Sequence, residues 1–285
     1  MLVYNYQKIK GKASMQNGYY QATGGMVTQF NRLEVITNNL ANVNTSGFKR
    51  DDVVIGDFKR VYREVQDILP IENHTRTASR FVNSSIDRVP QVSQTFTHFG
   101  TGVIKTTENP LDLAMVRDDT FYLVRTKDGE IRLTKDGNFQ LNDEGVLVNK
   151  QGYQVLSSAY FDNPEADAIL VPEGSVFINV DRDGNIQADN NPIARLFIAQ
   201  VDDIRFLEKD GDNTYRINDL TKIRDLDGSN AVRQGFTQLS NVNPVVEMTS
   251  LIETHRMLEM YQKVMTSHMD DLNQEAINKL ASINA

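Results

Sequence analysis

The chain has 285 residues, 40% of them apolar, with 30 basic against 38 acidic side chains and a formal net charge of −8. This supplies core material for one large domain or two smaller ones, and the acid excess argues against a general nucleic-acid binder, which carries a basic face. Cysteine is absent, which excludes disulfides, thiolate metal sites and a cysteine nucleophile, and no apolar run approaches the roughly 20 residues that insert into and span a membrane.

Residues 1–14, MLVYNYQKIKGKAS, place Lys8, Lys10 and Lys12 after the first apolar residues. A cleaved signal peptide needs the reverse order, with an apolar core of about 7–15 residues. This stretch reads as a disordered, dispensable N-terminal extension from an upstream start, ahead of Met15. The first patterned segment follows, from about Gly18 to Asn42. Met26, Leu33 and Leu40 recur by sevens, and Ala22, Phe30 and Ile36 widen the stripe, a helical periodicity with coiled-coil character. Asn42, Asn44 and Gly47 then stop the helix, because asparagine and glycine tolerate the left-handed backbone found there.

Residues 51–108 are less regular. Val53 to Leu69 reads as a short helix or extended arm, and Ser79 to Gly102 as linker or edge strands. From Asn109 to about Arg224, short runs such as FYLVRT, EIRLT and VLVNK alternate with Asp128-Gly129, Asp136-Gly137-Asn138, Glu144-Gly145, Gln151-Gly152 and Asp183-Gly184. Asp-Gly between β-formers is a strong hairpin signal, so 109–224 is predicted to be an all-β domain, tied by linkers at 51–108 and 225–239.

The last element runs from about Pro244 to Ala281, roughly 55 Å of helix. Asn243 suits its N-cap, Pro244 its first position, and Glu247 the positive end of the helix dipole. Leu251, Leu258, Met265 and Leu272 again recur by sevens, broadened by Tyr261. The five methionines of this segment suit adaptable packing. The predicted fold is therefore mixed α and β: long terminal helices (15–50 and 240–285) pairing as a coiled coil, with an inserted all-β domain. The stripes to be buried, against each other or in an interface with neighbouring copies, fall on Met26, Phe30, Leu33, Leu40, Leu251, Leu258, Tyr261, Met265 and Leu272. The Asn-Val-Asn segments at Asn42–Asn44 and Asn241–Asn243 mark, with Gly47, the junctions at the inner ends of both helices.

No motif carries catalytic, cofactor or metal chemistry. His74, His98, His255 and His268 have no metal-type partner at short spacing. DRDGNI at 181–186 opens like a calcium loop, but Ile186 stands where that loop needs glycine; a hairpin turn is the simpler reading. The acid pairs Asp118-Asp119, Asp202-Asp203 and Asp270-Asp271 read as solvated turns and helix faces.

NRLEVITNNLANVNTSGFKR resembles the N-terminal signature of bacterial flagellar rod, hook and hook-associated axial proteins. NPLDLAM with residues 121–156 resembles the body of the basal-body rod branch, FlgG and FlgF-like, and AVRQGFTQLSNVNPVVEMTSLIETHRM its C-terminal signature. Two stretches depart from the pattern: Asp118-Asp119, where the family often has glycines, and Leu133-Thr134-Lys135, where it often has Tyr-Thr-Arg. The resemblance implies a structural subunit, not an enzyme, that self-associates into a helical polymer. It implies type III export without a cleaved signal, a basal-body rod location across the periplasm, and contact with other rod and hook proteins and with ring proteins. The distal rod is slightly favoured over the proximal rod or a hook-type subunit. A carbohydrate-binding or hydrolytic β module is the alternative from another class.

Overall fold

The computed structural model describes residues 2–57, 90–161, 168–217, 219–226, 228 and 230–283. The arm expected beyond residue 57, the linker before residue 90 and His74 lie outside the described residues. The chain forms two compact units: one of 1–40, 51–96 and 244–285, the other of 41–50 and 97–243.

In the first unit, α1 (Leu2–Ala41) and α2 (Pro244–Ile283) are each 40 residues long, roughly 60 Å at 1.5 Å per residue. The backbone is helical from Leu2, so the extension expected at 1–14 is continuous with α1. α2 starts at the proline that the sequence marks as its first position. A ribbon of β1 (Asp51–Asp57) and β2 (Pro90–Thr97) completes this unit.

The second unit is antiparallel β. Its main sheet is organised around β5 (Thr120–Arg125), which pairs with β6 (Ile131–Thr134) on one side and with β9 (Gln154–Val155) and β13 (Ile198–Val201) on the other. Successive strand residues point to opposite faces, and β5 is apolar at four consecutive positions, so it closes two cores at once. Tyr122 and Val124 join Leu113, Met115, Phe139, Leu147 and Ile198 on one face. Phe121 and Leu123 join Phe99, Leu133, Phe197 and Tyr215 on the other.

Hairpins form at most of the expected turns. The β5–β6 turn is closed by Gly129 N–H to Thr126 O (3.0 Å), and the 181–186 stretch turns with the Asp181 carboxylate accepting the Asp183 and Asn185 N–H groups at 2.9 and 2.8 Å. The Asp136-Gly137-Asn138 turn differs. Its flanking strands, β6 and β7 (Phe139–Leu141), do not pair; instead Gly137 lies against the Leu113 backbone, where an added Cβ would sit 1.7 Å from the carbonyl oxygen. Residues 225–239, read as linker, also belong to the β unit. There β17 (Val232–Gln234) pairs with β4 (Leu113–Met115), and β18 (Phe236–Gln238) with β3 (Ile104–Thr106). Strands of three residues are too short to show a period of two in sequence.

Candidate functional site: a helix seam and a buried junction

The contacts between α1 and α2 run in opposite chain order. Gly18 lies against His268, Gly25 against Tyr261, Thr23 Oγ1 lies 3.6 Å from Met265 Sδ, and Asn39 Nδ2 lies 3.5 Å from Glu247 Oε2. The buried positions along these helices are largely small or polar: Ala22, Thr28, Gln29, Asn39, Glu247 and Thr254, with Ile36 and Leu258 the large apolar ones. Of the residues assigned from sequence, Leu258 is buried (8% exposed) and Phe30 is half out in solvent (49%). Met26, Leu33, Leu40, Leu251, Tyr261 and Met265 are intermediate. The side chain of Leu272 lies outside the described residues. The seam is thus narrower than the heptad stripes, and Val27, Phe30, Met248, Ile252, Met260, Val264 and Met269 stay exposed on the same two helices.

Gly25 shows why the seam is narrow. A Cβ there would lie 2.4 Å from the Tyr261 ring. Glycine in a helix interior costs about 1 kcal/mol relative to alanine, so its presence is informative, and the run Gly24-Gly25 was the sequence signal for this contact. Gly25→Ala is expected to destabilise the helical unit by about 1–3 kcal/mol through overpacking, against the propensity gain. Faster amide exchange at 20–40 and 250–265 than in the parent chain would show it; slower exchange would mean that the ring has room.

The junction residues divide sharply. Asn241 Oδ1 accepts the Arg50 N–H at 2.7 Å, and its Nδ2 donates to the His98 and Gly100 carbonyls at 2.7 and 3.1 Å. Asn42 closes a local turn, accepting from Thr45 through backbone and side chain, both at 3.1 Å. Gly47 has φ +69° and donates to the Gln238 carbonyl at 2.7 Å. Asn44 and Asn243 are exposed. Sequence reading missed Asn39, which is buried and exchanges two hydrogen bonds with the Asp51 backbone, at 2.8 and 3.0 Å, as a strand neighbour would. The asparagine run around it was visible; which member turns inward depends on helix phase.

Two buried lysines lie in the β unit, Lys49 within segment 41–50 and Lys135 against it. Lys49 Nζ donates to Gly100 O and Gln238 Oε1, both at 3.0 Å, and Gln238 Nε2 donates to Met115 O at 3.2 Å. Lys135 Nζ donates to Arg117 O at 2.6 Å and sits 4.5 Å from the Phe121 ring centre. Burial pushes Lys49 down to about 8, opposed by Asp118. Burial, with repulsion from Lys49, pushes Lys135 down to about 7, opposed by Asp118 and Asp119. The two stretches that depart from the family pattern therefore meet in one electrostatic neighbourhood.

Depressed lysine values mean that the unfolded chain binds protons more tightly than the folded one between about pH 7 and the ordinary value of 10.5. Stability of the β unit should therefore rise with pH from about 7 to 9.5 and fall as pH drops through 8 and then 7. Lys135→Met should flatten that slope. Chemical denaturation at pH 6.5, 8 and 9.5 measures it; equal midpoints for the parent chain at all three would refute it.

No catalytic arrangement emerges among the described residues. Arg117 holds the Asp119 carboxylate down to about 2, Asp203 accepts from the Arg205 N–H at 3.0 Å, and Asp202 pairs with Arg224 at 2.9 Å. Each acid is neutralised locally rather than opposed across a cleft. His255 is exposed, His268 packs at Gly18, and no group of three metal-type side chains forms among the described residues.

The fold is a pair of long helices with an inserted antiparallel β unit. The family described as Flagella basal body rod protein matches residues 20–49, the Flagellar hook protein FlgE/F/G D1 domain matches 115–188, and the Flagellar basal body rod FlgEFG protein C-terminal family matches 233–279. The flagellar basal-body rod protein FlgG of Buchnera aphidicola subsp. Schizaphis graminum is 33% identical over 267 residues, covering 84% of this chain and 90% of that protein. FlgF of Caulobacter vibrioides is 29% identical over 270 residues, covering 95% and 100%. The Bacillus subtilis flagellar hook-basal body complex protein FlhO is 28% identical over 285 residues, covering 94% and 100%. The chain belongs to the flagellar basal-body rod protein family, a structural rather than an enzymatic family.

Proposed function

We propose that the chain polymerises through α1 and α2 into the axial drive shaft that transmits torque to the hook. The observation that carries this is the apolar surface left on a helix pair whose seam is already made: Phe30, Met248, Ile252, Met260 and Met269 remain exposed. Copies stacked head to tail on a helical lattice would cover it, each interface burying apolar area at about 25 cal/mol per Å². In this reading the helices pair as a coiled coil in an inner layer, with Met26, Leu33, Leu40, Leu251, Leu258, Tyr261, Met265 and Leu272 within or beside the seam. Ring proteins around the rod are further partners of the assembled subunit. The subunit is exported through the type III apparatus into the periplasm-spanning rod and joins other rod and hook proteins. The distal rod position is favoured by segment 231–273, which resembles the distal-type C-terminal signature. The FlgF likeness across 95% of the chain favours the proximal position as a second reading.

Cryo-electron microscopy of isolated basal bodies carrying a tagged copy tests both. Label along the rod next to the hook supports the distal reading, label at the membrane end the proximal one, and a rod without label sinks the proposal.

A further inference from the structure

The helical unit also contains a hollow of about 370 Å³ lined by Gln29, Arg32, Glu253, Thr254, Arg256 and Met257. Gln29 is 8% exposed, yet its Oε1 is buried without a hydrogen-bond partner. A buried amide oxygen left unpaired costs free energy, and Gln29 also lines this hollow. Thr254 is satisfied by the Ser250 carbonyl at 2.7 Å and does not serve it. Among the described residues no ion pair reaches Arg32, Arg256 or Glu253. The walls therefore carry two unpaired guanidinium groups against one carboxylate, a surplus of one positive charge.

We infer that this hollow is a socket for a carboxylate side chain of a second copy of the chain, held by Arg32, Arg256 and the Gln29 amide. The inference rests on the polymerisation proposed above and names one of its contacts. Three features select this occupant. Guanidinium forks match carboxylate geometry with two parallel hydrogen bonds. One incoming carboxylate cancels the surplus charge. The Gln29 amide, also in the lining, offers Nε2 as a third donor. The chain supplies such groups in excess, 38 acidic against 30 basic, and Glu259, Asp270 and Asp271 are exposed on α2 itself. A copy displaced along the helix axis brings its own α2 acids past this point. The apolar contacts then supply most of the drive, and the socket sets the axial register, since a slipped copy would leave two arginines and an amide buried without partners.

The test uses the full chain in sedimentation assays across salt concentration, with Arg32→Gln, Arg256→Gln and the double variant. The parent should assemble less well as salt rises. The double variant should need at least tenfold more protein to assemble and should lose that salt dependence, with its far-ultraviolet circular dichroism unchanged. Arg256→Lys, assembled from equal parts of nitrogen-15 and nitrogen-14 chains and treated with a zero-length carbodiimide, should yield mixed-isotope cross-links between position 256 and an acidic residue. Cross-links confined to one chain, or a double variant that assembles like the parent, would overturn the socket while leaving polymerisation standing. Failure of the parent itself to assemble would overturn both.

Discussion

Leu258→Asp should abolish incorporation of the chain into the rod and leave cells non-motile, while the β unit stays folded. Leu258 is the deepest of the large residues assigned from the α2 heptads, at 8% exposure, between Thr254 and Tyr261 on the seam. Removing a buried leucine costs about 2–5 kcal/mol, and a carboxylate in its place must be desolvated without a cation to meet it. The effect stays local because the two cores of the β unit contain no α2 residue. Complementation of a deletion strain followed by swimming assays reads the first half of the expectation. Protection of residues 121–156 in amide exchange of the purified variant reads the second. A motile strain would remove Leu258 from the interface, and loss of protection at 121–156 would show that the units fold as one.

Gly47→Ala should have the second large effect, this time on the β unit. At φ +69° an alanine is strained by about 1–2 kcal/mol. Space compounds the conformational cost, because a Cβ would stand 2.5 Å from Asp136 N and 2.6 Å from Lys135 O. Neither backbone atom can move freely, since the same turn holds Gly137 against Leu113 and Lys135 is buried. A total of about 3–5 kcal/mol is expected, a fall of roughly 10 °C or more in the melting temperature of the β unit. Gly129→Ala is the matched control: φ there is +84° with nothing within 4 Å of the added carbon, so only about 1 kcal/mol should be lost. Equal losses at the two positions would mean that the close approach at Gly47 contributes nothing.

Much of the architecture was legible because it repeats. Two heptad stripes, a proline at the start of α2 and a series of Asp-Gly turns each restate a local preference, and local preference is what a sequence displays. The short strands at 225–239 were not legible, because β17 and β18 are defined by partners more than a hundred residues away rather than by a pattern of their own. The junction was half legible. Asn241 and Gly47 do tie segment 41–50 into the β unit, but the asparagine that clamps β1 is Asn39, three residues before Asn42 and inside the helix. Helix phase alone turns it inward.

The sequence by itself determined the class of fold, the family and the absence of a recognisable catalytic motif, because these follow from periodicity and from long colinear motifs. Only the tertiary structure decided which side chains of each stripe are spent on the intramolecular seam and which remain exposed. It alone brought Lys49 and Lys135 together beside Gly47, and left the Gln29 amide oxygen buried without a partner. Those outcomes depend on distances between residues remote in the chain, and burial, charge repulsion and steric contact act through distance, not through order.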